Sequence, residues 1–249
     1  MFFSFSKFLK KIPILHEIVR KYRRVKIREH EVIKLLPPNS LIFDIGAHLG
    51  DKSLPFLKND MRVLMVEPNP FMCKLLNTYF SKNPNVKILQ KGVGEKKRKA
   101  IFYISDDAPG ASTLSRSWKT LKRFKRFKIK YNRTINIDLV TLDYLIKKYG
   151  SPDYIKIDIE NYEYYAISGL KKKNGIISFE FVNENFGNII KCLNKLVKIG
   201  YKEFNFSLGD NNFFFFQKFK KIKEMPIFLK TIKNLSSIDS DVWGDIYAK

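Results

Sequence analysis

Leu41-Ile-Phe-Asp-Ile-Gly-Ala-His-Leu-Gly-Asp51 is the stretch whose reading decides the fold. Its first residues are apolar enough for a buried strand, and its glycines, Gly46 and Gly50, call for a sharp turn into the next element. In a doubly wound α/β fold the turn after the first strand lies at the carboxyl edge of the sheet, where a ligand can approach glycine backbone closely. The next apolar run, Arg62-Val-Leu-Met-Val-Glu-Pro-Asn69, ends in a carboxylate about twenty residues beyond Gly46, one strand–helix–strand unit away. Glu67 is thereby placed to hold a ribose diol.

The glycine spacing narrows the cofactor. A dinucleotide pyrophosphate is cradled by Gly-x-Gly-x-x-Gly at a helix N-terminus. Here the pattern is Asp-x-Gly-x-x-x-Gly. A carboxylate at Asp44 repels a pyrophosphate and suits a cationic amino group, which S-adenosylmethionine carries together with a ribose for Glu67. On this reading Asp44, Gly46, Gly50 and Glu67 bind the cofactor.

A chain of 249 residues accommodates one large α/β domain with short extensions, and 45% hydrophobic with 14% aromatic residues excludes disorder over most of its length. The formal charge of +23, from 47 Lys and Arg against 24 Asp and Glu, suits an anionic partner. The lysines are spread along the whole chain, however, as a general bias would spread them. Cys73 and Cys192 lie in helix-like stretches as apolar fillers and suggest neither a disulfide nor zinc. No apolar run is long enough to span a bilayer, and Lys7, Lys10 and Lys11 interrupt the apolar start that a signal peptide needs. A cytoplasmic location, with peripheral membrane contact as an addition, is the expectation.

That contact would fall to residues 1–12, where Phe2, Phe5, Phe8, Leu9 and Ile12 recur at helical spacing among lysines. Helix is expected to continue from Ile14 to Leu36 and to stop at Pro37-Pro38, which makes residues 1–38 an amphipathic extension. From Asn39 strands and helices alternate: strand 41–45, helix near 51–59, strand 62–67, helix 70–81, strand 86–90. Two short strands, 101–105 and 134–139, flank Ala108-Pro-Gly-Ala-Ser-Thr113 and a basic stretch from Arg116 to Arg133, readable as a substrate-facing lid or a solvated helix. A short helix at 141–146 precedes Asp153-Tyr-Ile-Lys-Ile-Asp-Ile-Glu160, a strand whose period of two puts Lys156, Asp158 and Glu160 on one side. Helix 162–170, strand 176–181, helix 186–199 and strands near 201–207 and 212–217 come next. The domain is expected over 39–220, with 221–249 packing on it and Trp243–Tyr247 as an edge strand.

Strand ends carry acids at Asp44, at Glu67 and at Asp158 with Glu160, and ligands of open parallel sheets bind at such ends. Asp158 and Glu160 suit a base or a divalent metal, magnesium or manganese; a salt bridge or helix capping is the alternative. These residues resemble the FkbM-type methyltransferases of the class I fold. Asp44–Gly50 is similar to that family's first motif, Val66-Glu-Pro-Asn69 to its second, and Lys156-Ile-Asp-Ile-Glu-Asn-Tyr-Glu163 to its most specific one, over roughly residues 39 to 217. The family usually has Asn at the place of His48 and Gly at that of Asn161.

The resemblance implies a Rossmann-like α/β fold with a mostly parallel, seven-stranded sheet and helices on both faces. It adds His48 and Asn69 to the cofactor residues and implies O-methylation of a sugar, glycan or secondary metabolite, with Asp158 and Glu160 catalytic and His48 a weaker base. Two rivals stand beside it. A nucleic-acid methyltransferase would fit the charge, yet base-methylating enzymes carry an Asn/Asp-Pro-Pro-Tyr-like turn where this chain has Asp158-Ile-Glu-Asn161. A membrane-associated, non-enzymatic adaptor with a degenerate fold would fit the amphipathic start.

Overall fold

The computed structural model describes residues 30–120, 128–238 and 242–249. The expected amphipathic segment at 1–12, most of the helix from 14 to 36, and the middle of the basic stretch lie outside the described residues.

The main sheet has eight strands: β1 (Leu41–Ile45), β2 (Arg62–Val66), β3 (Val86–Leu89), β7 (Tyr154–Ile157), β8 (Ile176–Val182), β9 (Glu203–Phe206), β10 (Lys220–Lys221) and β11 (Trp243–Ala248), in the order β10-β9-β11-β8-β7-β1-β2-β3. β1 pairs in parallel with β2 and β7, β2 with β3, and β7 with β8. From β1 the chain builds outward through β2 and β3, then returns to β7 on the other side of β1. That reversal opens a crevice at the carboxyl ends of β1 and β7, where ligands of such sheets bind.

Alternation along the strands sorts two cores. Phe43, Ile45, Leu64, Val66, Ile155, Ile157, Ile177 and Phe179 pack with α3 (Leu142–Tyr149), α4 (Glu163–Ser168), α5 (Phe186–Lys198) and α6 (Met225–Ile238). Ile42, Val63, Met65 and Tyr154 face the other way, against Phe56 of α1 (Leu54–Lys58) and Leu76 and Phe80 of α2 (Pro70–Phe80). Helices therefore cover both faces, as a parallel sheet requires. A second, three-stranded sheet forms from β4 (Gly92–Val93), β6 (Arg133–Val140) and β5 (Arg98–Ile104), in that order.

Three expectations are corrected. Trp243–Ala248 is no edge strand: β11 is wedged between β8 and β9, antiparallel to both, so the last residues complete the sheet on which α6 packs. The strand expected at 212–217 is irregular, because its backbone bonds to side chains. Asn205 accepts from Phe216 N at 3.0 Å and donates to Phe216 O at 2.8 Å, and Phe214 N donates to Glu31 at 2.6 Å. The strand expected to reach Glu160 stops at Ile157, since Glu160 (φ 57°) and Asn161 (φ 70°) are left-handed and cannot continue a ladder.

The central place of β11 makes Gly244 intolerant of a side chain. A Cβ there would lie 2.0 Å from the Ser207 carbonyl oxygen, whereas a Cβ on Gly187 in α5 meets nothing within 4 Å. Gly244→Ala is expected to lower the unfolding free energy by about 3 kcal/mol in urea titrations, while Gly187→Ala raises it by roughly 0.5–1 kcal/mol. Equal midpoints for the two variants would contradict the wedged position of β11.

Candidate active site

Gly46 holds the centre of the site. Its φ of 86° is left-handed, its N–H donates to Val66 O at 2.8 Å, and a Cβ would stand 1.8 Å from the Asp158 carbonyl oxygen. The turn after β1 is thus pressed against the turn after β7 with no room for a side chain. Glu67 ties the same turn to β2. Its Oε2 accepts from His48 N at 2.9 Å and its Oε1 from Asn69 N at 2.8 Å. Burial raises the Glu67 carboxyl to about 7, although the two amide donors oppose the rise.

A cleft of about 350 Å³ runs along this edge, within the range of small-ligand sites. Glu67, Gly92 and Val93 line it at the β2/β3 end, Gly46 to His48 in the middle, and Asp158, Glu160, Glu180, Asp245 and Trp243 at the β7/β8/β11 end. Phe102, Leu114 and Pro109, Gly110 and Ser112 of the Ala108–Thr113 segment line it as well. Trp118, at the start of the basic stretch, is buried against Val182 rather than solvated.

The charge of the cleft opposes that of the chain. Among the described residues, Asp51, Glu67, Asp158, Glu160, Glu180, Asp210 and Asp245 line it against Lys52 and Lys91, in a protein of net charge +23. Lys52 already donates to Asp210 at 2.7 Å. Such a lining repels phosphates and favours a cationic ligand.

Beneath the cleft a buried row crosses the sheet. Asp44 stands beside Lys156 in register, and Lys156 Nζ donates to Asp158 Oδ2 at 2.7 Å. Burial alone would lower the Lys156 ammonium, but Asp158, Asp245 and Asp44 together hold it above its ordinary value. For Asp158, burial pushes upward and the Lys156 charge and hydrogen bond outweigh it, so the carboxyl stays below its usual range. Glu180 is forced well above its usual range by burial and by the neighbouring carboxylates, Asp158 first.

Of the residues the sequence singles out, the structure brings Gly46, His48, Glu67, Asp158 and Glu160 to the cleft. Asp44, Gly50 and Asn69 are not in its lining. Asp44 is 3% exposed, and its Oδ2 accepts from Ser53 Oγ at 2.6 Å. A Cβ on Gly50 would meet the Phe80 ring at 2.7 Å, so that glycine serves packing against α2. Asn69 caps α2 by accepting from Phe71 N at 3.0 Å.

Glu180, Asp245 and Glu163 escaped the sequence reading. The first two interrupt otherwise apolar strands, Ile176–Val182 and Trp243–Ala248, at positions that face Lys156, and a lone acid in such a run was the available signal. Glu163 braces the Asp158–Asn161 turn from below. Its Oε1 accepts from Ile159 N at 3.2 Å and Asn161 N at 3.1 Å, and its Oε2 accepts from Asn188 at 3.3 Å. Asn161 Nδ2 also donates to Ser115 Oγ at 3.0 Å, and its Oδ1 accepts from Asn185.

A family model for the methyltransferase FkbM domain matches residues 44–208, which hold both glycine turns, Glu67 and the Asp158–Glu163 segment. The chain belongs to the FkbM methyltransferase domain family. It is an S-adenosylmethionine-dependent methyltransferase with a Rossmann-like α/β fold. No curated protein matches it. Similar solved structures include precorrin-6y C5,15-methyltransferase from Geobacter metallireducens, 14% identical over 86% of this chain and 81% of that one, TM-score 0.44. A TehB-like S-adenosylmethionine-dependent methyltransferase from Corynebacterium glutamicum is 12% identical over 88% and 84%, TM-score 0.41. Aeropyrum pernix fibrillarin with bound S-adenosylmethionine is 10% identical over 93% and 72%, TM-score 0.43. These scores are too low to bear on the site.

The two departures of this FkbM domain from the family pattern fall on left-handed residues, His48 (φ 49°) and Asn161 (φ 70°). Asn, His and Gly all tolerate that region better than other residues, so both turns keep their shape.

The raised Glu67 carboxyl ties stability to pH. The folded value, about 7, exceeds the ordinary 4.5, so its contribution is full below pH 4.5 and is lost as pH rises through 7. Urea midpoints of the ligand-free chain are expected to fall between pH 5 and 8, and Glu67→Gln to make that fall smaller. An unchanged slope in the variant would show that Glu67 titrates normally.

Proposed function

We propose that this methyltransferase transfers the methyl group to a hydroxyl oxygen of a sugar, glycan or small metabolite. The observation that carries the reading is the grouping of Asp158, Glu160 and Glu180, whose carboxylate oxygens lie within 4.8 Å of one another at the cleft end farthest from Glu67. The cleft suits S-adenosylmethionine in charge and in the bare backbone at Gly46. Glu67 would hold the ribose and the acidic middle of the cleft the methionine part. When bound, the cofactor supplies a methyl carbon on a sulfonium: the acceptor oxygen bonds to that carbon, the C–S bond breaks, and its electron pair stays on sulfur.

The chain's own residues then have three tasks. The Gly46 and Asp158–Asn161 turns fix the direction of approach, and alignment of this kind supplies several kcal/mol of the barrier reduction. The loop Pro109–Ser112, Leu114 and Phe102 exclude water. A carboxylate of Asp158 or Glu160 takes the hydroxyl proton; either also suits a divalent cation. Lys156 keeps Asp158 ionised, the form from which a base must start, while making it a weaker proton acceptor than a free carboxylate.

The experiment is methyl transfer from labelled S-adenosylmethionine to a panel of hydroxylated acceptors. Asp158→Asn is expected to lower turnover by about 10²–10⁴ while leaving cofactor affinity within a few fold. Near-normal turnover in both Asp158→Asn and Glu160→Gln, or labelled product only on nitrogen acceptors, would overturn the reading.

A further inference from the structure

A second concavity, a groove of about 460 Å³, is lined by the segment 114–117, by Asn161 and the tyrosines after it, and by the start of α5. It meets the cofactor cleft at one peptide unit: Glu160 lines the cleft, Asn161 lines the groove, and Leu114 lines both. Its chemistry is different. Among the described residues no acid lines it, while Arg116 and Lys191 do. Arg116 Nε donates to Tyr103 Oη at 2.9 Å, which fixes the guanidinium and leaves its Nη groups for a ligand. Asn185 and Asn188 each spend an amide N–H on the turn, on Asn161 Oδ1 and Glu163 Oε2, and neither side-chain carbonyl has a partner among the described residues. Tyr165 adds a flat apolar surface. It is 41% exposed, stacked on Tyr162 with ring centroids 4.5 Å apart and edge-on to Tyr164 at 5.7 Å, so its orientation is set before a ligand arrives.

Gly187 supplies an independent observation. It lies in the first turn of α5, is not among the left-handed glycines, and a Cβ there meets nothing within 4 Å. Neither backbone nor packing calls for glycine at a helical position where glycine is unfavourable. The missing side chain leaves the groove open.

We infer that this groove binds an anionic saccharide portion of the methyl acceptor. A sugar ring offers an apolar C–H face to Tyr165 and a rim of hydroxyls that both donate and accept, as Asn185, Asn188 and Ser117 require. Its carboxylate or phosphate is repelled by the acidic cleft and drawn to Arg116 and Lys191. The two cavities thus sort one acceptor by charge, with the reacting hydroxyl at Glu160 and the charged unit beyond Asn161. That placement rests on the proposed methyl transfer to oxygen; the class of ligand in the groove does not.

The test is binding of the fluorescently labelled full chain, without S-adenosylmethionine, to an array of acidic and neutral oligosaccharides at about 0.15 M salt. A chain of charge +23 adheres to many polyanions, so the variants carry the decision. Gly187→Trp fills the groove at constant net charge and is expected to weaken binding to acidic saccharides about tenfold or more. Lys191→Gln is expected to weaken it several-fold, and Lys202→Gln, the same charge change outside the groove, to leave it unchanged. Thermal unfolding checks the fold of each variant, and Tyr165→Ala takes the place of Gly187→Trp if the latter does not fold. No binding to acidic saccharides, equal binding to neutral ones, or equal binding in wild type and the folded groove variant overturns the inference. Labelled methyl transfer to small hydroxylated acceptors is measured apart from binding. An empty groove in an active enzyme and a filled groove in a chain that does not methylate oxygen therefore give different results.

Discussion

No side chain can stand at residue 46. The turn after β1 and the turn after β7 meet there with a carbonyl oxygen where a Cβ would be, and the rest of the site depends on that approach. It sets the depth of the crevice at the sheet's reversal point and fixes where the Asp158–Asn161 turn begins. It also places the amide of His48 against Glu67. The second constraint is electrostatic: burial and neighbouring carboxylates push Glu180 toward protonation, while the buried Lys156 holds Asp158 ionised. A cationic ligand in the middle of the cleft relieves that repulsion, so binding energy is available from the protein's own unfavourable charge.

Strain and support are paired in the turn after β7. Two consecutive left-handed residues that are not glycine cost on the order of 1–3 kcal/mol each. They persist because Glu163 accepts from the backbone below them, Thr113 Oγ1 donates to Glu160 O at 2.6 Å, and the Asn161 amide is held by Ser115 and Asn185. The result aims Glu160 into the cleft and Asn161 away from it. A strand running straight on would have kept both acids on one face but without Glu180 between them.

Much of this was legible in the sequence. The glycine turn, the acid at the end of β2 and the alternation of strands and helices gave the doubly wound sheet, because short-range signals determine them: apolar runs, turn residues and a fixed unit length. Asp44 and Asn69 lie outside the lining of the cleft for one reason. Spacing tells that a residue lies near the carboxyl edge of the sheet, not whether its side chain points above the turn or below it. Asp44 points below, to Ser53 and Lys156. Glu180 was missed because its meeting with Asp158 depends on the parallel pairing of β7 with β8, and Asp245 because β11 enters the sheet between β8 and β9, a pairing set by residues more than sixty positions apart in the chain. The aromatic run at 213–216 has strand-like composition, yet one buried amide, Asn205, captures its backbone.

The central claim is that the cleft between β1, β2 and β7 is a cofactor site in which Glu67 carries the ribose. Calorimetric titration with S-adenosylmethionine tests it most directly. The account predicts one site per chain, weakened roughly ten- to a hundredfold by Glu67→Ala in protein that remains folded, as expected for the loss of one or two hydrogen bonds to a charged group. Absence of binding to the wild type at high micromolar cofactor, or equal affinity in the folded variant, would contradict it.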